Sequence, residues 1–220
     1  MSDTTERAAP SSTRGAGILA IATGIAAVAL LANHPGGEAH DFAGVLREEA
    51  ANRVMDAAVH GGFIAVLALQ TLCYAIFSAR IGFSRATAMA GLIFFAFGTA
   101  FLSASMVLDG LVTPAIAAKY LAAPDKLEFA RSLFVLIGAL IGFLMPIGLA
   151  FQSAAIACWG WALVASRPSR AAGVFALALG IAALAALASS LAGMNPLVLM
   201  GAIAATSVWA VVAGIVLLRR

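Results

Sequence analysis

Asp56 and His60 stand four residues apart. On a helix they share one face, where a carboxylate can orient and charge an imidazole, or the two can hold a metal together. Two groups of the same chemistry border apolar runs nearby: His34 after the first run, and Asp109, followed by Gly110, after the third. An ionisable group at the edge of a bilayer is costly unless it faces water or a partner, so four such groups at one depth predict a site. Neutral imidazole and carboxylate suit zinc or another divalent metal, and an open coordination position would let the ion activate water. The expected metal ligands are His34, His60 and Asp56, with His40 and Asp41 of the intervening loop as further members and Asp109 as the candidate base. The competing reading is structural: His34 and Asp109 cap helix ends among the lipid headgroups, and Asp56 and His60 merely pair.

The elements that would position these groups follow from composition. Of 220 residues, 63% are hydrophobic and 10% charged, with a mean hydropathy of +1.02. So little polar surface cannot cover a soluble globule, and the bilayer must be the solvent. Apolar runs at about 15–33, 57–79, 86–108, 133–165, 171–191 and 197–218 have the length that crosses hydrocarbon, which predicts an all-α bundle of six transmembrane helices. Residues 1–14 are polar and are expected to form a mobile cytoplasmic tail ahead of a single domain, 15–220. The first run is longer than a signal-peptide core and lacks a small-x-small cleavage pattern at its end, so it is expected to be retained.

Orientation follows from arginine. With the N-terminus inside, Arg7, Arg14, Arg80, Arg85, Arg167, Arg170, Arg219 and Arg220 fall on the cytoplasmic side, as the positive-inside rule requires. Both termini are then cytoplasmic in a multi-pass protein of a bacterial-type inner membrane. All three histidines, His34, His40 and His60, and eight of the ten acidic residues fall on the other, periplasmic side. The net charge of +3 therefore describes membrane-flanking loops, and no nucleic-acid partner is implied. Cys73 and Cys158 lie within apolar runs without metal-type spacing and are expected to be small core side chains.

Between the first two spans, Phe42, Val45, Leu46, Ala50 and Val54 recur near helical spacing against Arg47, Glu48, Glu49 and Arg53, which predicts a short amphipathic helix on the outer surface. The run 133–165 is too long for one straight crossing and is expected to be one bent or protruding helix with Pro146 inside, Trp159 and Trp161 serving as interfacial anchors. Gly138 and Gly142 form a G-x-x-x-G, and alanines surround Gly173 and Gly180, so these faces allow close backbone approach within the bundle, to a second copy or to a membrane partner. The first and fifth spans also align without gaps over fourteen residues from Arg14 and Arg170, a match that Ala/Gly-rich helices produce by chance.

His34-Pro35-Gly36-Gly37, with His60 following, is similar to the haem-binding motif of the small b-type cytochromes. That resemblance covers only the stretch 34–60 and implies bis-His haem ligation by His34 and His60. In those cytochromes the motif sits in a soluble domain with its own strands and helices, whereas here membrane spans bracket it, so neither the fold nor the haem is expected. Function is left between three classes: a divalent-metal-binding or metal-dependent hydrolytic protein, a small proton- or ion-coupled transporter relaying through Asp56, His60 and Asp109, and an assembly or sensor subunit without a ligand. No H-E-x-x-H or G-x-S-x-G motif marks an enzyme.

Overall fold

In hydrocarbon every backbone N–H and C=O must be satisfied within the chain, and uninterrupted apolar runs meet that demand as helices. The computed structural model describes residues 10–34, 37, 39–166, 169–189 and 195–219, with the side chains of 10–12 and 124 left aside. Its elements are α1 (Pro10–Ala32), α2 (Phe42–Ile81), α3 (Ala86–Val107), a π turn (Leu108–Val112), α4 (Thr113–Leu121), a 3-10 turn (Pro124–Lys126), α5 (Leu127–Ser166), α6 (Arg170–Ser189) and α7 (Pro196–Leu218). The α3–π–α4 stretch is one continuous rod, so six helical rods are long and apolar enough to cross a membrane. The chain is an all-α, multi-pass membrane protein.

Helix ends follow local chemistry. The Asp41 carboxylate accepts from Gly44 N at 2.6 Å and caps α2. Gly82 ends the same helix at φ 109°, a left-handed conformation that favours glycine, with its N–H donating to Ser78 O at 2.9 Å. Asn195 caps α7 by accepting from Leu197 N, and Pro196 occupies the first turn, where its missing N–H costs nothing. The Arg80 guanidinium donates to Leu217 O and Arg219 O, joining the end of α2 to the end of α7.

Glycines set the helix spacing. A Cβ at Gly160 would lie 2.5 Å from Leu177 N, and one at Gly180 would lie 2.6 Å from Ser153 O, so α5 and α6 pack backbone against backbone. Gly17 and Gly24 of α1 meet Gly214 O and Ser207 O of α7 in the same way. By contrast, Gly138 is exposed and has nothing within 4 Å. The core at the arginine-rich end is aromatic: Tyr74, Phe77, Phe95, Trp159 and Trp209 are each at most 1% exposed.

Three features differ from the sequence reading. The segment expected as a separate surface helix is the beginning of α2, because no glycine or proline interrupts Ala50 to His60. Forty residues rise about 60 Å, twice the hydrocarbon thickness, so α2 projects beyond the membrane. There it packs against α4 and the start of α5, with Leu46, Ala117 and Ala130 each 0% exposed. Likewise the third rod does not stop at Asp109-Gly110 but runs on through the π turn and α4 to Leu121. Finally, Trp159 is no interfacial anchor: it is fully buried, its Nε1–H donates to Ser78 Oγ at 2.9 Å, and Gly91 makes room for its ring, while Trp161 is exposed. The 133–165 run lies within one helix, α5, with Pro146 inside. Of the expected polar tail, residues 1–9 lie outside the described residues, and α1 already begins at Pro10. Pro35 and Gly36 of the His-Pro-Gly-Gly stretch also lie outside them.

Candidate metal centre

His60 sits where α2 leaves the projecting segment and enters the bundle, 3% exposed. Its Nδ1 lies 2.9 Å from Asp56 O, the carbonyl one helical turn earlier. A carbonyl can only accept, so Nδ1 carries the proton and Nε2 of the neutral ring is a lone pair. Asp109 Oδ2 lies 3.2 Å from that nitrogen and His34 Nε2 lies 3.3 Å from it, so Nε2 meets a carboxylate and a second imidazole whose own role follows its tautomer.

Asp109 reaches α2 because the helix widens beneath it. In the π turn Leu108–Val112 the N–H and the Oγ1 of Thr113 both donate to Leu108 O, five residues back. Single π turns of this kind recur at functional sites. The residue after Asp109 must then be glycine, since a Cβ at position 110 would fall 2.3 to 2.4 Å from the Cγ, Cβ and Nδ1 of His60. His34 arrives just beyond the end of α1, its ring edge-on to that of His60 with centroids 4.9 Å apart.

One ligand atom from each of His34, His60 and Asp109 lies within 4.8 Å of the others. Donors about 2.0 to 2.1 Å from a tetrahedral zinc stand roughly 3.3 Å from one another, close to the 3.2 and 3.3 Å spacings found here. The three groups border a cavity of about 50 Å³ lined by His34, Gly37, Glu48, Glu49, Asn52, Asp56, His60 and Asp109. That volume accommodates a few waters, each needing about 10 to 15 Å³. Among the described residues its lining holds four carboxylates and two imidazoles without lysine or arginine, a composition suited to cations.

The structure thus brings together His34, His60 and Asp109, and seats Asp56 beside them on the cavity wall. His40 is exposed at the bend before α2, and Asp41 is engaged as the α2 cap; neither borders the cavity. Glu48, Glu49 and Asn52 were missed as lining residues. Glu49, Asn52, Asp56 and His60 recur at intervals of three and four, one face of a helix, and that spacing was the available signal. Comparison of the chain with family models, with characterised proteins and with solved structures returned no match in any of the three.

Proposed function

We propose that this membrane protein binds a divalent metal ion, of zinc type, through His34, His60 and Asp109. The observation that supports this most is the orientation of His60. Its Nδ1–H is committed to Asp56 O, so Nε2, the ligating nitrogen of the neutral ring, points at an imidazole nitrogen and a carboxylate oxygen. Lone pairs on three such atoms repel unless a proton or a metal cation lies between them, and three donors converging on one point suit the metal. The backbone carbonyl acts as the outer-shell partner that fixes the ring tautomer of a ligating histidine.

Three protein donors beside a water-sized cavity resemble a catalytic zinc site, in which the fourth position holds water, more than a closed four-ligand structural site. The bound ion would lower the pKa of that water toward 7 and make it a nucleophile, which is the basis for a hydrolytic reading. Asp109 then belongs to the ligand set, and the carboxylates lining the cavity are the candidates for handling the proton. A cavity of about 50 Å³ walled by carboxylates suits an ion with its waters, not a haem. No charged side chain stands in the middle of any span, which favours a site at one mouth of the bundle over a relay through it. With the arginine-rich end cytoplasmic, that mouth faces the periplasm.

Zinc titration of detergent-purified, chelator-stripped protein tests the reading. One tight site per chain is expected. His60→Ala or Asp109→Asn should weaken it by more than the 10- to 100-fold typical of losing an outer-shell partner. Equal zinc affinity for wild type and His60→Ala would remove the support for the proposal.

A further inference from the structure

Beside the histidine pair, the cavity has a second half made of oxygen donors alone. Glu49, Asn52 and Asp56 lie on one face of α2, at intervals of three and four, and all three line the cavity. Asp56 is only 7% exposed. Among the described residues its carboxylate has no hydrogen-bond partner and no ion pair, while its backbone carbonyl holds His60. A carboxylate buried without a partner is costly, and here it is buried among others of its own charge. Glu48 has a backbone donor, Ala39 N, at 3.2 Å, and Asp109 belongs to the first centre, which leaves Glu49 and Asp56 on the cavity wall without a hydrogen-bond partner among the described residues. The nearby Arg47 and Arg53 are exposed and do not border the cavity.

We propose that Glu49, Asn52 and Asp56 form a second cation position, for a hard divalent ion such as Mg²⁺ or Mn²⁺, adjoining the His34–His60–Asp109 centre. This deepens the reading of the first site and rests on it. Charge favours it: four carboxylates line the cavity, and a single divalent ion neutralises only two. Donor chemistry selects the ion. Carboxylate and amide oxygens suit Mg²⁺ or Mn²⁺, whereas imidazoles favour zinc. Ions of the Mg²⁺ class bind through one or two carboxylates and keep several waters, which a half-open cavity can supply. Two cations sharing this cavity would form a paired centre, able to hold both the attacking and the leaving oxygen of a hydrolysed ester.

The test is Mn²⁺ binding to detergent-purified, zinc-loaded full-length protein, read from the electron paramagnetic resonance signal of free Mn²⁺, with zinc content measured in parallel. Wild type should take up about one Mn²⁺ per chain. The double variant Glu49→Gln, Asp56→Asn should lose that uptake by at least tenfold while keeping its zinc. A second readout guards against misfolding: without metal, the double variant should melt higher than wild type, because like charges have been removed, and Mn²⁺ should raise the melting temperature of wild type only. Mn²⁺ uptake that is absent from wild type, or unchanged in the double variant, overturns the second position. If wild type takes no zinc, the first reading fails, and the second is decided by whether Mn²⁺ uptake still depends on Glu49 and Asp56.

Discussion

Gly110 is the residue on which the centre turns, because it lets a helix backbone lie directly against the His60 ring. A methyl group there would overlap His60 atoms at 2.3 to 2.4 Å, so either the ring leaves its bond to Asp56 O or the π turn moves away. Gly110→Ala should therefore destabilise the protein by about 1 to 3 kcal/mol, the usual cost of overpacking, and weaken zinc binding through loss of ring orientation. The neighbouring Gly61 is the control. It has nothing within 4 Å, and Gly61→Ala should be neutral or stabilise by up to about 1 kcal/mol, as removal of a mid-helix glycine allows. Thermal melting with a parallel zinc isotherm checks both. If Gly110→Ala behaved like Gly61→Ala, the close approach would have no bearing on the site.

At the scale of elements, the small residues of the chain have divided roles that their spacing does not reveal. Gly160, Gly173 and Gly180 all sit in the α5–α6 contact, where backbone atoms of the partner helix occupy the space a side chain would need. Gly138, part of the most conspicuous small-residue motif, faces no neighbour. Gly160→Val should force α5 and α6 apart and lower the melting temperature sharply, since backbone cannot yield as a side-chain tip can. Gly138→Val should leave the folding of the single chain within about 0.5 kcal/mol, as surface changes do. Equal losses for the two would mean that the Gly138 face is also packed in the folded protein. The projecting half of α2 shows the same division, because it packs against α4 with Leu46 of its apolar stripe completely buried, while Val54 of the same stripe is 82% exposed.

For the whole molecule, the two ends differ in charge. The end bearing Arg14, Arg80, Arg85, Arg170 and Arg219 is bound together by Arg80, whose guanidinium donates to the last carbonyls of α7, while the other end carries the acidic cavity. We propose, on the positive-inside rule, that the first end is the cytoplasmic one. On a background lacking Cys73 and Cys158, cysteines placed at Arg53 and Ala122, both exposed, should react with an impermeant thiol reagent in intact spheroplasts. A cysteine at Phe83, exposed in the turn after α2, should react only after lysis. Labelling at 83 from outside would reverse the orientation and move the site to the cytoplasmic face.

Hydropathy and spacing along the chain determined the class of protein, the six spans and the shared helix face of Asp56 and His60, because these depend on the solvent and on contacts within one helix. Tertiary structure decided the rest. Asp109-Gly110 has the local composition of a helix end, yet the chain continues through a π turn, since the widened turn buries Thr113 and places glycine against the His60 ring. Trp159 sits in the sequence where an interfacial anchor belongs, yet Gly91 and Ser78 on other helices admit it to the core and accept its N–H. Glu49 and Asn52 pass for the solvated face of an amphipathic helix, and only the approach of α1 and the π turn makes that face a cavity wall. In each case the outcome was settled by a partner distant in sequence, whose distance and bearing follow from how the helices pack and cannot be inferred from the periodicity of either segment alone.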